Sequence, residues 1–181
     1  DILLLASKAP VAPVYPWFLS ALASIVGQEM TWIYATQIIL TLLTALLVYR
    51  LAYKIAGPKT ARLALVGYAF YFPLVIVGLE IHPQVLFLFL VVLMMNLLFE
   101  ATAKDNIWLY ASAGIAAGFA VLTRSVALYL PFVLLITLLL RQPLNWRKRV
   151  TFILAFMVVL TPWIIRNNIH SSSFSVGNYA I

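Results

Sequence analysis

An all-α fold, a polytopic bundle of about six transmembrane helices with one interfacial helix, is what three features of this 181-residue chain predict. Hydrophobic residues make up 65% of it and charged residues 9%, with a mean hydropathy of +1.05. No water-soluble fold of this size could hide so much apolar surface. The apolar residues fall into runs long enough to cross a hydrocarbon core of about 30 Å, which takes roughly 20 helical residues. The cations collect between those runs.

Pro10, Pro13 and Pro16 mark the start of an apolar segment from Tyr15 to Val26. At roughly twelve residues it is short for a span and predicts a helix lying in the interface. Spans are predicted from Thr31 to Tyr49, Leu63 to Leu79, Val85 to Phe99, Ile107 to Leu122, Val126 to Leu140 and Val150 to Ile165. Gly57-Pro58 reads as a turn between the first two. Gly114, Ala117 and Gly118 form a small-xxx-small face suited to close helix packing rather than a phosphate loop. Asn96 is the clearest lone polar residue inside a span. By domains, residues 1–30 read as part of a first extracytoplasmic loop with the interfacial helix, 31–166 as the bundle, and 167–181 as the start of an extracytoplasmic segment. The chain opens at Asp1 without a signal peptide and closes on the polar run from Ser171 to Asn178, which predicts an internal piece of a longer protein. A catalytic residue could then lie outside it.

Composition also removes several function classes. The chain has no cysteine, so a disulfide framework, thiolate metal chemistry and a cysteine nucleophile are excluded within it. The net charge of +7 does not point to nucleic acid, because the cations sit in short loops where membrane orientation explains them. Arg50, Lys54, Lys59, Arg62, Lys104, Arg141, Arg147, Lys148 and Arg149 fall on one side, and only Lys8, Arg124 and Arg166 on the other. The positive-inside rule puts the first group in the cytoplasm. Glu80, His82, Arg124 and Arg166 then converge on the extracytoplasmic face of a multi-pass plasma-membrane protein, bacterial or archaeal, although they come from separate places in the chain.

In Thr161-Pro162-Trp163-Ile164-Ile165-Arg166-Asn167-Asn168 an apolar run stops at an arginine and two asparagines. A guanidinium there suits a planar anion, because its fork makes paired charge-assisted hydrogen bonds to phosphate oxygens. Arginine also serves simply as an interface anchor at helix ends. Arg124, flanked by apolar runs on both sides, costs about 2.5–3.5 kcal/mol at mid-membrane and less near the interface, so something should compensate it. Snorkelling to headgroups and coordination of a bound anion are the two alternatives. Glu80 closes an apolar run ahead of Ile81-His82-Pro83-Gln84. A carboxylate there can bind a sugar hydroxyl, hold a metal ion or take a nucleophile's proton, or it can merely keep a short loop in water. His82 with one carboxylate does not make a metal site.

Several segments in order resemble the GT-C superfamily of membrane glycosyltransferases, in particular those related to dolichyl-phosphate-mannose protein mannosyltransferases. They are Ala12-Pro13-Val14-Tyr15-Pro16-Trp17-Phe18-Leu19, Ile25-Val26-Gly27, Leu47-Val48-Tyr49-Arg50-Leu51-Ala52, the glycine-rich run from Gly114 to Thr123-Arg124, and Pro162-Trp163-Ile164-Ile165-Arg166-Asn167. The resemblance implies a GT-C type bundle that takes a sugar from a polyprenyl-phosphate carrier and transfers it to an extracytoplasmic glycan, lipid or protein acceptor in the cell envelope. It implies an acidic catalytic base in the first outer loop. Asp1, in Asp1-Ile2-Leu3-Leu4-Leu5-Ala6, resembles that family's Asp-Tyr-Leu-x-Leu-Ala pattern with isoleucine in place of tyrosine. Glu80 matches an acid of the second outer loop, His82 becomes a substrate contact, and Arg124, Arg166 and Asn167 would sit near the carrier phosphate. No cofactor is required by this scheme, and a divalent metal is left open. Partners would be the lipid-linked sugar donor, the acceptor and membrane lipids. The competing class is a transporter or lipid-binding module without chemistry, which should place paired or repeated polar residues at mid-membrane.

Overall fold

A computed structural model describes residues 12–27, 29–73, 81–131, 133, 136 and 146–171, and every element among them is helical. The order is α1 (Val14–Val26), α2 (Met30–Ala69), α3 (Pro83–Lys104), α4 (Ile107–Thr123), a 3-10 turn (Ser125–Tyr129) and α5 (Trp146–Ser171).

α1 is the short helix expected between the proline-rich start and the first span. It buries Val14, Tyr15 and Leu19 and leaves Trp17 and Ile25 exposed. Gly27 ends it with φ +89°, a backbone state that glycine adopts without steric cost.

α2 departs from the expected pair of spans joined by a loop over residues 50–62. The chain stays helical through Arg50 and Lys54, breaks at Gly57 alone (φ +80°, ψ −175°), and resumes with Pro58. Proline is well suited to open the second arm, since a first-turn N–H has no helical partner anyway. The break reverses the chain. Tyr68 and Thr41 are 27 residues apart, which in an unbroken helix means about 40 Å. The Tyr68 hydroxyl nonetheless reaches the Thr41 carbonyl at 3.5 Å, so the second arm folds back on the first.

Pro83 occupies the first turn of α3, with His82 extended ahead of it. α3 and α4 meet in a tight connection. Asp105 takes a left-handed conformation that its short polar side chain tolerates, and the Asn106 side chain caps α4 by accepting from the Trp108 N–H at 2.9 Å.

α4 is the most buried helix and packs between α3 and α5. Its small residues make this possible. A Cβ on Gly114 would strike the Phe152 carbonyl oxygen, and one on Gly118 would lie 2.6 Å from the Val159 Cβ. The expected small-residue face is thus a packing surface. The pairs 114 with 152 and 118 with 159 advance together, so α4 and α5 run parallel. Two buried amides join other elements. Asn96 donates to the Leu47 carbonyl of α2 at 3.0 Å as well as to Val92 of its own helix, and Gln37 donates to the Tyr15 hydroxyl at 3.3 Å. Such bonds between helices contribute about 0.6 kcal/mol each on average in a membrane.

Among the described residues three helices are long and apolar enough to cross a membrane: α2, α3 and the part of α5 from Trp146 to Asn167. The six expected spans are reduced for identifiable reasons. The first and second share α2, the fourth is the 17-residue α4 of about 26 Å, and the fifth begins as the 3-10 turn and continues mostly outside the described residues. Large apolar side chains such as Ile38, Leu42, Leu154 and Val158 lie on the outside. A bundle that exposes them needs lipid rather than water as its solvent.

Candidate functional site

The helix directions collect the charged residues at two opposite ends. At one end Glu100 of α3 receives Arg50 at 3.2 Å, Lys54 at 2.5 Å and Lys104 at 3.6 Å, while Lys148 of α5 pairs with Asp105. α3 runs away from this end backwards to His82, and α4 and α5 run away from it forwards to Arg124 and Arg166. His82, Arg124 and Arg166 therefore share the other end of the bundle, as the loop charges imply.

α4 ends at Arg124, whose backbone is extended (φ −148°, ψ 115°) and whose N–H still bonds the Ala120 carbonyl at 3.0 Å. Its carbonyl oxygen accepts from Ala127 at 3.0 Å and opens the 3-10 turn. The guanidinium is half-buried and sits 5.9 Å from the ring centre of Phe87, on the first turns of α3. A cation at a helix C-terminus also faces the negative end of the helix dipole. These two interactions offset part of the cost of the charge. Among the described residues no ion pair involves Arg124.

Arg166 is exposed and stacks 4.8 Å over Trp163, one turn earlier in α5, with Asn167 half-buried beside it. Trp163 in turn meets the edge of Trp17 from α1, the ring centres being 6.1 Å apart. α1 is held at this end by that contact and by the Tyr15 to Gln37 bond. Burial pushes the Tyr15 hydroxyl up to about 12, so it stays neutral and available for hydrogen bonding.

His82 is exposed at the start of α3. Two further polar atoms at this end were not picked out as site groups from the sequence. The Trp163 indole Nε1 and the Gln84 Oε1 are buried and have no hydrogen-bond partner among the described residues. Trp163 could have been suspected from its place three residues before Arg166. Gln84 carried no such signal. Gln37, also missed, is buried in the first arm of α2, while Asn96 of α3 was the polar span residue that the sequence made conspicuous.

Asp1 and Glu80, the two carboxylates expected to act in catalysis, lie outside the described residues. Among the described residues no group of three His, Asp or Glu side chains could hold a metal ion.

A helical bundle with membrane-length apolar helices and cations gathered at its ends is an integral membrane protein. The chain belongs to the dolichyl-phosphate-mannose-protein mannosyltransferase family, whose model matches residues 8–165. The match runs from just before α1 to one residue before Arg166. No curated protein and no solved structure matches the chain. The family places it among membrane glycosyltransferases that draw sugar from polyprenyl-phosphate donors.

Proposed function

We propose that the end carrying Arg124 and Arg166 binds the phosphate of a polyprenyl-phosphate sugar and that the sugar is transferred there to an acceptor outside the cell. The observation that carries this reading is the arrival of two arginines at one end of the bundle, from the parallel helices α4 and α5, each supported by an aromatic ring. As the acceptor oxygen attacks the sugar's anomeric carbon, the bond to the phosphate oxygen breaks and negative charge grows on the phosphate. Preoriented guanidinium donors stabilise that charge more in the transition state than in the bound donor. Asn167 adds an amide donor next to Arg166, and the Trp163 indole N–H, which has no partner among the described residues, supplies another.

The acceptor hydroxyl must lose a proton, and a carboxylate can take it. Glu80, two residues before His82, and Asp1 are proposed for this work, with His82 contacting substrate. The carrier's prenyl chain would lie along the exposed apolar faces of the helices.

A transporter reading has less support. The buried polar residues Gln37 and Asn96 are engaged in joining helices rather than lining a path. The test is transfer of radiolabelled sugar from defined prenyl-phosphate donors by the full-length protein in proteoliposomes. Product that disappears in Arg166→Ala, with protein level and monodispersity kept, supports the proposal. Donor translocation without a new glycosidic bond would replace it with the transporter.

A further inference from the structure

We infer that the cleft bordered by Tyr49, Arg50, Tyr53 and Lys54, at the end of the bundle opposite Arg124 and Arg166, binds the phosphodiester headgroup of an anionic phospholipid. The cleft has a volume of about 360 Å³, room for a glycerophosphate group. Three cations (Arg50, Lys54 and Lys104) face a single carboxylate there, Glu100, which leaves an excess of two positive charges. Arg50 gives Glu100 one N–H of its guanidinium, and its side chain is 53% exposed. A guanidinium has about five N–H donors, so most remain directed elsewhere. Tyr49 and Tyr53 stack with ring centres 6.3 Å apart and line the cleft together with Arg50 and Lys54, and amphipathic rings of this kind favour the membrane interface.

The same helix supplies the apolar half of the site. Ile39, Leu42 and Leu46 are 55%, 64% and 54% exposed and lead along one face towards Arg50. Ile39 to Arg50 spans about 16 Å of helix, close to half of a hydrocarbon core of about 30 Å. An acyl chain of one leaflet therefore fits the stripe while its phosphate reaches the cations. Basic pockets at this level of a membrane protein attract anionic lipids through both charge and hydrogen bonding.

Native mass spectrometry of the full chain, delipidated and titrated with phosphatidylglycerol or phosphatidylcholine, tests this without reference to sugar transfer. Wild-type protein should retain phosphatidylglycerol in clear preference to phosphatidylcholine. Arg50→Gln combined with Lys54→Gln should weaken phosphatidylglycerol roughly tenfold or more. Glu100→Gln, which removes the competing carboxylate, should tighten it. Should the double variant not fold, Arg50→Gln alone and Glu100→Gln still have to move affinity in opposite directions. Equal retention of the two lipids by the wild type, unchanged binding in the variants, or displacement of phosphatidylglycerol by millimolar inorganic phosphate would overturn the inference. Sugar transfer can fail or succeed independently, since the outer-end arginines are not altered.

Discussion

The Arg166 guanidinium carbon sits 4.8 Å from the centre of the Trp163 ring, a cation–π contact in which a planar guanidinium and a lysine ammonium are not interchangeable. Arg166→Lys keeps the charge but loses the fork and the stacking. Transfer activity is expected to fall roughly tenfold or more, the cost of about one charge-assisted hydrogen bond of 1.5–3 kcal/mol. Steady-state rates with saturating acceptor check this, and full activity would reduce Arg166 to an interface anchor. Arg124→Ala should impair donor use too, because the side chain stands where α4 ends against Phe87 of α3. Its protein must stay monodisperse for the comparison to count. For Glu80, the proposed base or acceptor-positioning group, Glu80→Gln preserves shape and most hydrogen bonding but removes the charge. Turnover should drop about a hundredfold, the lower range for loss of a general base. Donor affinity should stay level or rise as repulsion between carboxylate and phosphate is relieved. Binding and turnover measured side by side decide it, and unchanged turnover would remove Glu80 from the chemistry.

At the scale of elements, the contact of α4 with α5 determines where both arginines stand. A methyl at Gly114 meets the backbone carbonyl of Phe152, and one at Gly118 meets the Val159 Cβ at 2.6 Å, an atom fixed to the backbone that no rotamer change can move. Neither contact is relieved without shifting α5. Gly114→Ala and Gly118→Ala should therefore each destabilise the protein by about 1–3 kcal/mol, as overpacking does. Thermal unfolding of the two variants in detergent measures this, and an unchanged melting temperature in both would contradict the close approach of these helices. The spacing of small residues announced this interface, while the choice of α5 as partner depends on contacts between residues some forty positions apart.

At the scale of the whole molecule, the separation of charge fixes the expected orientation. Cysteine substituted at His82, exposed at the start of α3, should react with an impermeant thiol reagent applied to intact cells, and cysteine at Thr60, exposed just after the Gly57 break, should not. The native chain contributes no cysteine of its own to the background. The reverse labelling pattern would put Arg124 and Arg166 in the cytoplasm and end the proposed extracytoplasmic transfer.

The membrane class, the helices and the two poles of charge were legible in the sequence, because composition, run length and loop cations follow directly from the solvent the chain must satisfy. The turn at Gly57 was legible for the same local reason, since few residues but glycine take φ near +80°. What only the tertiary structure decided is which side chains support one another. That Phe87 faces Arg124, that Trp17 braces Trp163, that Gln37 reaches Tyr15, and that Arg50 and Lys54 share Glu100 across nearly fifty residues are outcomes of helix packing. Hydrophobic patterning could not reveal them, because in lipid every helix is apolar all round and the pattern no longer marks the buried face.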